Sequence, residues 1–379
     1  MHPSHLRPAP ASRLGILTLL VGLVAACGSS APPASPSVAV VATPAPSVAA
    51  TPSAMPSALP SPSVLPSPST TPDPSLVPAD LTGVLVAPEL AHRLPLAVML
   101  DDSRAARPQS GFNAASIVYQ ATADGYETRY MLVFQEGDTK DIGPVRSARF
   151  FLVQWAQEVK AALAHYGGDK RTRTYIKYHP KQFTDVDGMG RGNPAYHRIK
   201  SRKAPHNAYT STASLRKRAL KLGGPEEMAA SLFRRPFRDP VDVSGRAASQ
   251  RIRIPYRTNV ITYRYDPATN LYLRSVNGKA HIDPADGQRV TTTNVVVLFQ
   301  RFRIDTKIEK GHSRPDIKTL GSGKAIVYNE GHRIKATWRK KSDTGATHLY
   351  DANGDEIALV RGKTFFQVVP IGAKVTDGD

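Results

Sequence analysis

Residues 28 to 72 carry neither a charged nor an aromatic side chain, and fourteen prolines lie between residues 28 and 80. This stretch limits what the chain can fold into more than any other feature. Proline removes backbone donors, and a segment without large apolar side chains cannot bury enough surface to offset its ordering entropy. The composition therefore predicts a disordered Pro/Ala/Ser-rich tether over 28–80. Fully extended as polyproline II it would reach about 160 Å, and as a flexible coil about 40 Å. A mucin-like glycosylated stalk is the other reading of its serines and threonines. The foldable remainder is about 300 residues long, ample for an apolar core.

A targeting signal precedes the tether. Arg7 and Arg13 are followed by an apolar run, Leu14 to Ala26, too short to span a hydrocarbon core of ~30 Å. It reads as the core of a signal peptide over 1–27. The run ends in Leu23-Val24-Ala25-Ala26-Cys27-Gly28, which resembles the bacterial lipobox, where the cysteine is lipidated and becomes the first mature residue. The expected partner is then the membrane, through lipidated Cys27, and the expected location is the extracytoplasmic face of the bacterial cell membrane. Cys27 is the only cysteine in the sequence. Disulfides, a cysteine nucleophile and a thiolate metal site are all excluded.

After Cys27 there are 48 Lys and Arg against 31 Asp and Glu, a formal charge of +17. Twelve basic residues fall between Arg191 and Arg238, where the acids are Glu226 and Glu227. Such a balance points to polyanionic partners. Outside the membrane these are lipid headgroups, wall phosphopolymers and lipid-linked pyrophosphates. Nucleic acid is not expected, because no basic stretch interleaved with aromatics is present. A merely solvated basic surface is the alternative.

The fold class expected is α+β: an N-terminal α/β domain over 81–223, a linker over 224–245, and an antiparallel β domain over 246–379. Leu96–Leu100, Ile117–Tyr119 and Thr128–Phe134 read as strands. Ala148, Phe151, Leu152, Trp155, Val159 and Leu163 recur at helical spacing, with Gln154, Gln157, Glu158 and Lys160 on the opposite face. A second helix is predicted from about Ser211 to Leu222, stopped by Gly223-Gly224-Pro225. From 246 onward, strands alternate with turns such as Asp266-Pro267-Ala268-Thr269-Asn270, as in a sandwich or partial barrel. Trp155 and Trp338 fall one to each half, which predicts two separate cores.

Several motifs carry a resemblance. Leu96 to Asp102, Ala106-Arg107-Pro108-Gln109-Ser110-Gly111, Thr128-Arg129-Tyr130, Gly143 to Arg149, His165-Tyr166-Gly167-Gly168 and Ala204 to Thr210 look like the YerB-type lipoprotein family. Tyr272-Arg274, Asn294-Val295-Val296, Gly321-Ser322-Gly323, Thr337-Trp338 and Gly362-Lys363-Thr364 are similar to its second domain. The resemblance spans nearly the whole mature chain. It implies the two-domain architecture and cell-envelope work, alongside peptidoglycan synthesis proteins, but little chemistry. The chain departs from the family pattern at two points. It has Asp101-Asp102 where the pattern has Asp-Asn, and Gln120 where the pattern has Glu.

Arg146 and Arg149 are the leading candidates for ligand binding. Pro144 and Ser147 sit where a helix should begin, and two arginines at a positive helix terminus call for an anion. Internal neutralisation by Asp101, Asp102 or Glu127 is the competing reading. Arg107 and Arg129 are candidates to join the site, since guanidinium suits oxyanions. His165 and His206 are candidate acids or phosphate donors, or loop-packing histidines. No metal or cofactor is expected: the spacing of Asp101, Asp102, His165 and Asp169 matches no metal signature. Gly321-Ser322-Gly323-Lys324 reads as a turn, because it lacks the glycine spacing of a phosphate loop. The expected function is a binding module for an anionic cell-wall ligand or a wall-synthesis partner. The alternative is a phosphate-handling enzyme on a lipid-linked pyrophosphate, by analogy with LytR-CpsA-Psr glycopolymer transferases.

Overall fold

The computed structural model describes residues 73–228, 235–309 and 312–378. The signal peptide, Cys27 and most of the tether lie outside the described residues. The end of the expected tether does not. Residues 73–80 are ordered: β1 (Val77–Pro78) pairs with β2 (Leu85–Val86), and Ala79 is buried.

In the first half, helix α1 (Pro88–Ala91) precedes strand β3 (Leu96–Asp101). Strands β4 (Ile117–Thr122) and β5 (Thr128–Phe134) follow as expected. Helix α2 covers only Phe150–Ala156 and passes through one turn of tighter helix into strand β6 (Ala162–His165). The predicted single helix to Leu163 is therefore corrected. Lys160, at φ 43°, turns the chain into the left-handed region and ends it. The expected polar face is also corrected, because Gln154, Gln157 and Glu158 are all buried. Helix α3 (Lys170–Tyr178) is capped by Asp169, whose side chain accepts from Thr172 N–H, and leads to β7 (Thr184–Asp187). Short strands β8 (His197–Arg198) and β9 (Ala208–Tyr209) pair with each other. Helix α4 (Thr212–Lys221) is capped by Ser211, as its sequence indicated.

The expected linker contributes a strand, β10 (Phe237–Arg238). Strands β11 (Arg251–Pro255), β12 (Val260–Asp266), β13 (Leu271–Val276), β14 (Lys279–Ala280) and β15 (Thr291–Thr292) follow. Next come β16 (Asn294–Gln300), the hairpin of β17 (Phe302–Glu309) and β18 (His312–Ile317), and β19 (Gly321–Asn329) with β20 (His332–Lys340). Gly321–Lys324, read as a turn from sequence, instead opens β19. The chain closes with β21 (His348–Tyr350), β22 (Leu359–Val360), β23 (Thr364–Pro370) and β24 (Thr376–Gly378).

The two halves do not fold as separate bodies. One ten-stranded sheet has the order β21-β20-β19-β16-β23-β4-β5-β3-β6-β7, so that β23 lies parallel to β4 of the first half and to β16 of the second. A second sheet, β14-β13-β12-β11-β24 with β15 on β13, supplies apolar residues to one face of the first. Trp155 and Trp338 share one core on the other face, which corrects the expectation of a separate core in each half of the chain. There Tyr119 stacks on Trp155 at 5.1 Å and on Phe366 at 4.6 Å, joining the halves through contacts worth about 1 kcal/mol each beyond their buried area. Glu158 and Lys340, both buried, form an ion pair at 3.1 Å across the same junction.

Candidate functional site

Asp101 ends β3 and Asp102 follows it, and successive residues of an extended chain point to opposite faces of a sheet. The pair therefore serves two different clusters. Asp101 lies directly across the register from Arg129 on β5. Its Oδ2 meets His206 Nδ1 at 2.7 Å and Arg146 Nε at 3.3 Å, and Ser103 N–H donates to its other oxygen. Burial alone would raise the Asp101 pKa. The Arg129 charge, the Ser103 N–H, His206 and Arg146 together outweigh it and hold the carboxyl below its usual range. Arg129 is buried and donates to the Ser147 carbonyl at 2.7 Å; burial pulls its guanidinium down to about 10. Ser103 Oγ also approaches His206, but on Nδ1, the nitrogen that Asp101 already engages. A serine–histidine–aspartate relay would need the two ring nitrogens used separately.

Arg149 is internally paired. Its guanidinium donates to Asp124 and to the Ala148 carbonyl, and Arg314 meets the same Asp124 at 3.0 Å. The neutralising carboxylate is thus Asp124, a residue the sequence reading did not single out. Helix α2 starts only at Phe150, and Arg149 is its N-cap with no side-chain cap bond. Pro144, expected in the first turn, instead lies well upstream beside β3, where Val145 bridges Leu100. His165 is apart from both clusters. Its Nε2 meets Asp185 and its Nδ1 the Gly167 carbonyl, each at 2.8 Å, with Asp187 at 3.7 Å. Burial would lower its pKa, but the two carboxylates more than offset this and the pKa is raised.

Asp102 is nearly inaccessible on the opposite face. Oδ1 accepts from Gln109 Nε2 at 2.8 Å and Arg107 Nε at 3.0 Å. Oδ2 accepts from Asn259 Nδ2 at 3.1 Å, Gln120 Nε2 at 3.3 Å and the Thr128 hydroxyl. Five donors saturate a carboxylate, leaving no lone pair for a metal or a substrate proton. Among the described residues, no three His, Cys, Asp or Glu side chains are grouped to hold a metal ion.

Behind this network lies Arg274, which is 0% exposed. It donates to Gln120 Oε1 at 2.8 Å, Tyr130 OH at 3.0 Å and Tyr263 OH at 3.3 Å, and Nη1 meets His281 Nδ1 at 2.6 Å. All four partners are neutral. Burial, then the Arg274 and Arg107 charges, push His281 well below the ordinary histidine pKa. Its ring is neutral, accepts at Nδ1 and carries its proton on Nε2. Beside these groups opens a cavity of about 570 Å³, lined by Arg107, Gln109, Tyr130, Asn277, Lys279 and His281 among others. Both halves of the chain supply its walls.

The six sequence candidates thus fall into four places. Arg129, Arg146 and His206 gather at Asp101; Arg149 is held at Asp124; Arg107 faces the cavity at Asp102; His165 stands with Asp185. Sequence reasoning missed Arg274, Asn259, Lys279 and His281. One signal was available: Arg274 shares the inward side of β13 with Tyr272, and a polar residue at an inward position needs a partner.

Residues 81–224 match the N-terminal domain, and residues 252–366 the C-terminal domain, of the DUF3048 proteins of unknown function. The chain is 28% identical over 298 residues to YerB of Bacillus subtilis, which by name is described as a lipoprotein; the match covers 77% of this chain and 86% of that one. The crystal structure of Bacillus subtilis YerB superposes with a TM-score of 0.71 at 26% identity, covering 80% of this chain and all of that one.

Proposed function

From the premise that the chain belongs to the DUF3048 family, whose two domains it carries in order, we propose that it is a lipid-anchored envelope protein that binds an anionic ligand. The anchor is Cys27, and the location is the outer face of the bacterial cell membrane. No described helix is long and apolar enough to cross a membrane. The name of the Bacillus subtilis relative and the lipobox-like run before Cys27 support this reading together. Lipid chains contribute about 0.8 kcal/mol per buried CH₂, so multiple acyl chains hold firmly.

The observation that carries the ligand class is Arg274: a fully buried guanidinium with four neutral partners, behind a cavity rimmed by Arg107 and Lys279. Arg274's direct partners are all neutral and Asp102 is reached only through Gln120, so an anion in the adjoining cavity adds a second counter-charge. The polar groups among its lining are mainly donors, Arg107, Lys279 and His281 among them, and the Asp102 carboxylate that also lines it is already saturated, which suits a phosphate or carboxylate. The saturation of Asp102 favours a binding module over a metal-assisted enzyme.

Two measurements test the proposal. Cys27→Ala should release the protein from the membrane fraction. Calorimetry of the full chain with inorganic pyrophosphate should show binding that Arg107→Gln with Lys279→Gln weakens by roughly tenfold, the equivalent of about 1.4 kcal/mol. Unchanged affinity in that double variant would refute the site.

A further inference from the structure

A second cationic feature lies away from this cavity. Three cavities of about 580, 450 and 720 Å³ adjoin one another. The first and second share Arg301, Lys318 and Leu320; the second and third share Phe150, Arg171 and Arg303. Together they make one continuous groove. It runs from the start of β19, past the β17–β18 hairpin, to α3. Eight basic side chains and two carboxylates, Asp305 and Asp316, line it.

Those two carboxylates are already engaged. Asp316 meets Arg171 and Arg303, each at 2.8 Å, and Asp305 meets Arg303 at 3.5 Å. Arg333 pairs with Asp377. Arg301, Lys318, Lys324, Lys170 and Lys307 are exposed and have no carboxylate partner among the described residues. Like charges along a groove repel and gain by matching an anionic chain. The groove is also shaped on purpose at one point. Gly323 lies so close over Trp338 that a Cβ would fall 2.8 Å from the indole nitrogen, so only glycine lets β19 pack there.

We infer that this groove binds an extended anionic polymer, of the phosphodiester-linked polyol or sugar class. Concavity separates this ligand from a membrane surface, because a flat bilayer cannot follow three cavities in a row. Ring availability separates it from nucleic acid, which gains affinity by stacking its bases on open aromatic faces. Here Arg171 covers the Phe150 ring at 3.8 Å, Lys324 lies over Phe299 at 5.3 Å and Trp338 is buried. Tyr178, at one end, is the exposed ring. The inference does not depend on the Arg274 cavity, which shares no lining residue with the groove.

The test titrates the full chain in detergent with a poly(glycerol phosphate) oligomer. A single-stranded DNA oligomer of equal charge and phosphatidylglycerol vesicles serve as comparators. The oligomer should bind with steep salt dependence. Changing Arg301, Lys318 and Lys324 together to Gln should weaken it roughly tenfold and flatten the salt slope by about two, from three lost phosphate contacts. Lys217→Gln, at an exposed lysine that lines neither the groove nor the cavity, should leave it unchanged, which separates the groove from general surface charge. The inference fails if the oligomer does not bind, if the triple variant binds equally, or if Lys217→Gln weakens binding as much as the triple variant does. Tighter binding to DNA or to vesicles would also overturn it, in favour of those ligands.

Discussion

Asp102 Oδ2 accepts from Gln120 Nε2 at 3.3 Å, so a buried carboxylate and a buried amide face each other across one hydrogen bond. Gln120 then links the charges on either side of it, donating to Asp102 while its Oε1 accepts from Arg274. A carboxylate at 120 would meet Arg274 directly.

Swapping the carboxylate and the amide between these two positions should be tolerated better than changing either alone. Asp102→Asn alone removes the anion from among five donors and should cost about 2–4 kcal/mol in urea unfolding. Gln120→Glu alone places two carboxylates in contact and should also destabilise. The double variant should recover most of the loss, and purely additive effects would show that the two positions are not coupled.

The ion pair of Glu158 with Lys340 should behave as a buried pair. Glu158 also accepts from Thr347 N–H and hydroxyl, and Lys340 donates to the Asp343 and Gly345 carbonyls. Lys340→Met leaves a buried carboxylate without its cation and should cost about 3–5 kcal/mol. Adding Glu158→Gln to that variant should recover part of the loss. Chemical denaturation of the three variants measures this.

Arg149 and Arg146 should differ sharply despite their spacing. Arg149 is buried on Asp124, and Arg149→Gln should cost about 2–4 kcal/mol. The Arg146 side chain is 31% exposed and pairs with Asp101 at 3.3 Å, so Arg146→Gln should cost less than about 1 kcal/mol. Equal losses in thermal unfolding would contradict the geometry.

His165 sets a pH dependence with a definite sign. Its folded pKa is raised above the ordinary 6.5, so the native state holds the proton more tightly than the unfolded chain does. The resulting stability is fully present below about pH 6.5 and is lost as pH rises through the folded value. Unfolding temperatures followed across that range should show this loss in the wild type and not in His165→Asn. His281, whose pKa is depressed, works the other way and favours unfolding as pH falls below the ordinary value.

The two family domains should not fold apart. Strand β23 is hydrogen-bonded on one side to β4 and on the other to β16. Expressed alone, residues 81–224 would expose β4 as an apolar edge, and residues 246–379 would leave β23 without β4 beside it. Each fragment should be insoluble, and co-expression should restore a soluble complex. A monomeric, cooperatively unfolding 81–224 fragment would refute this.

Much of the local structure was legible in the sequence, because local physics sets it. The strand Thr128–Phe134 and the capped, glycine-stopped helix after Ser211 appear as their residues indicate. The two family domains were legible through their motifs. The helix after Arg149 was misjudged for a physical reason. Trp155 and Val159 keep helical spacing, but Glu158 is buried too, so no solvated face exists for the periodicity to report. The joining of two sequence domains into one sheet, the separation of Asp101 from Asp102, and the union of Arg107 with Arg274 are long-range pairings. No local preference encodes them: which strand lies beside β23 depends on burying apolar faces across more than two hundred residues of chain, and only the tertiary structure decided it.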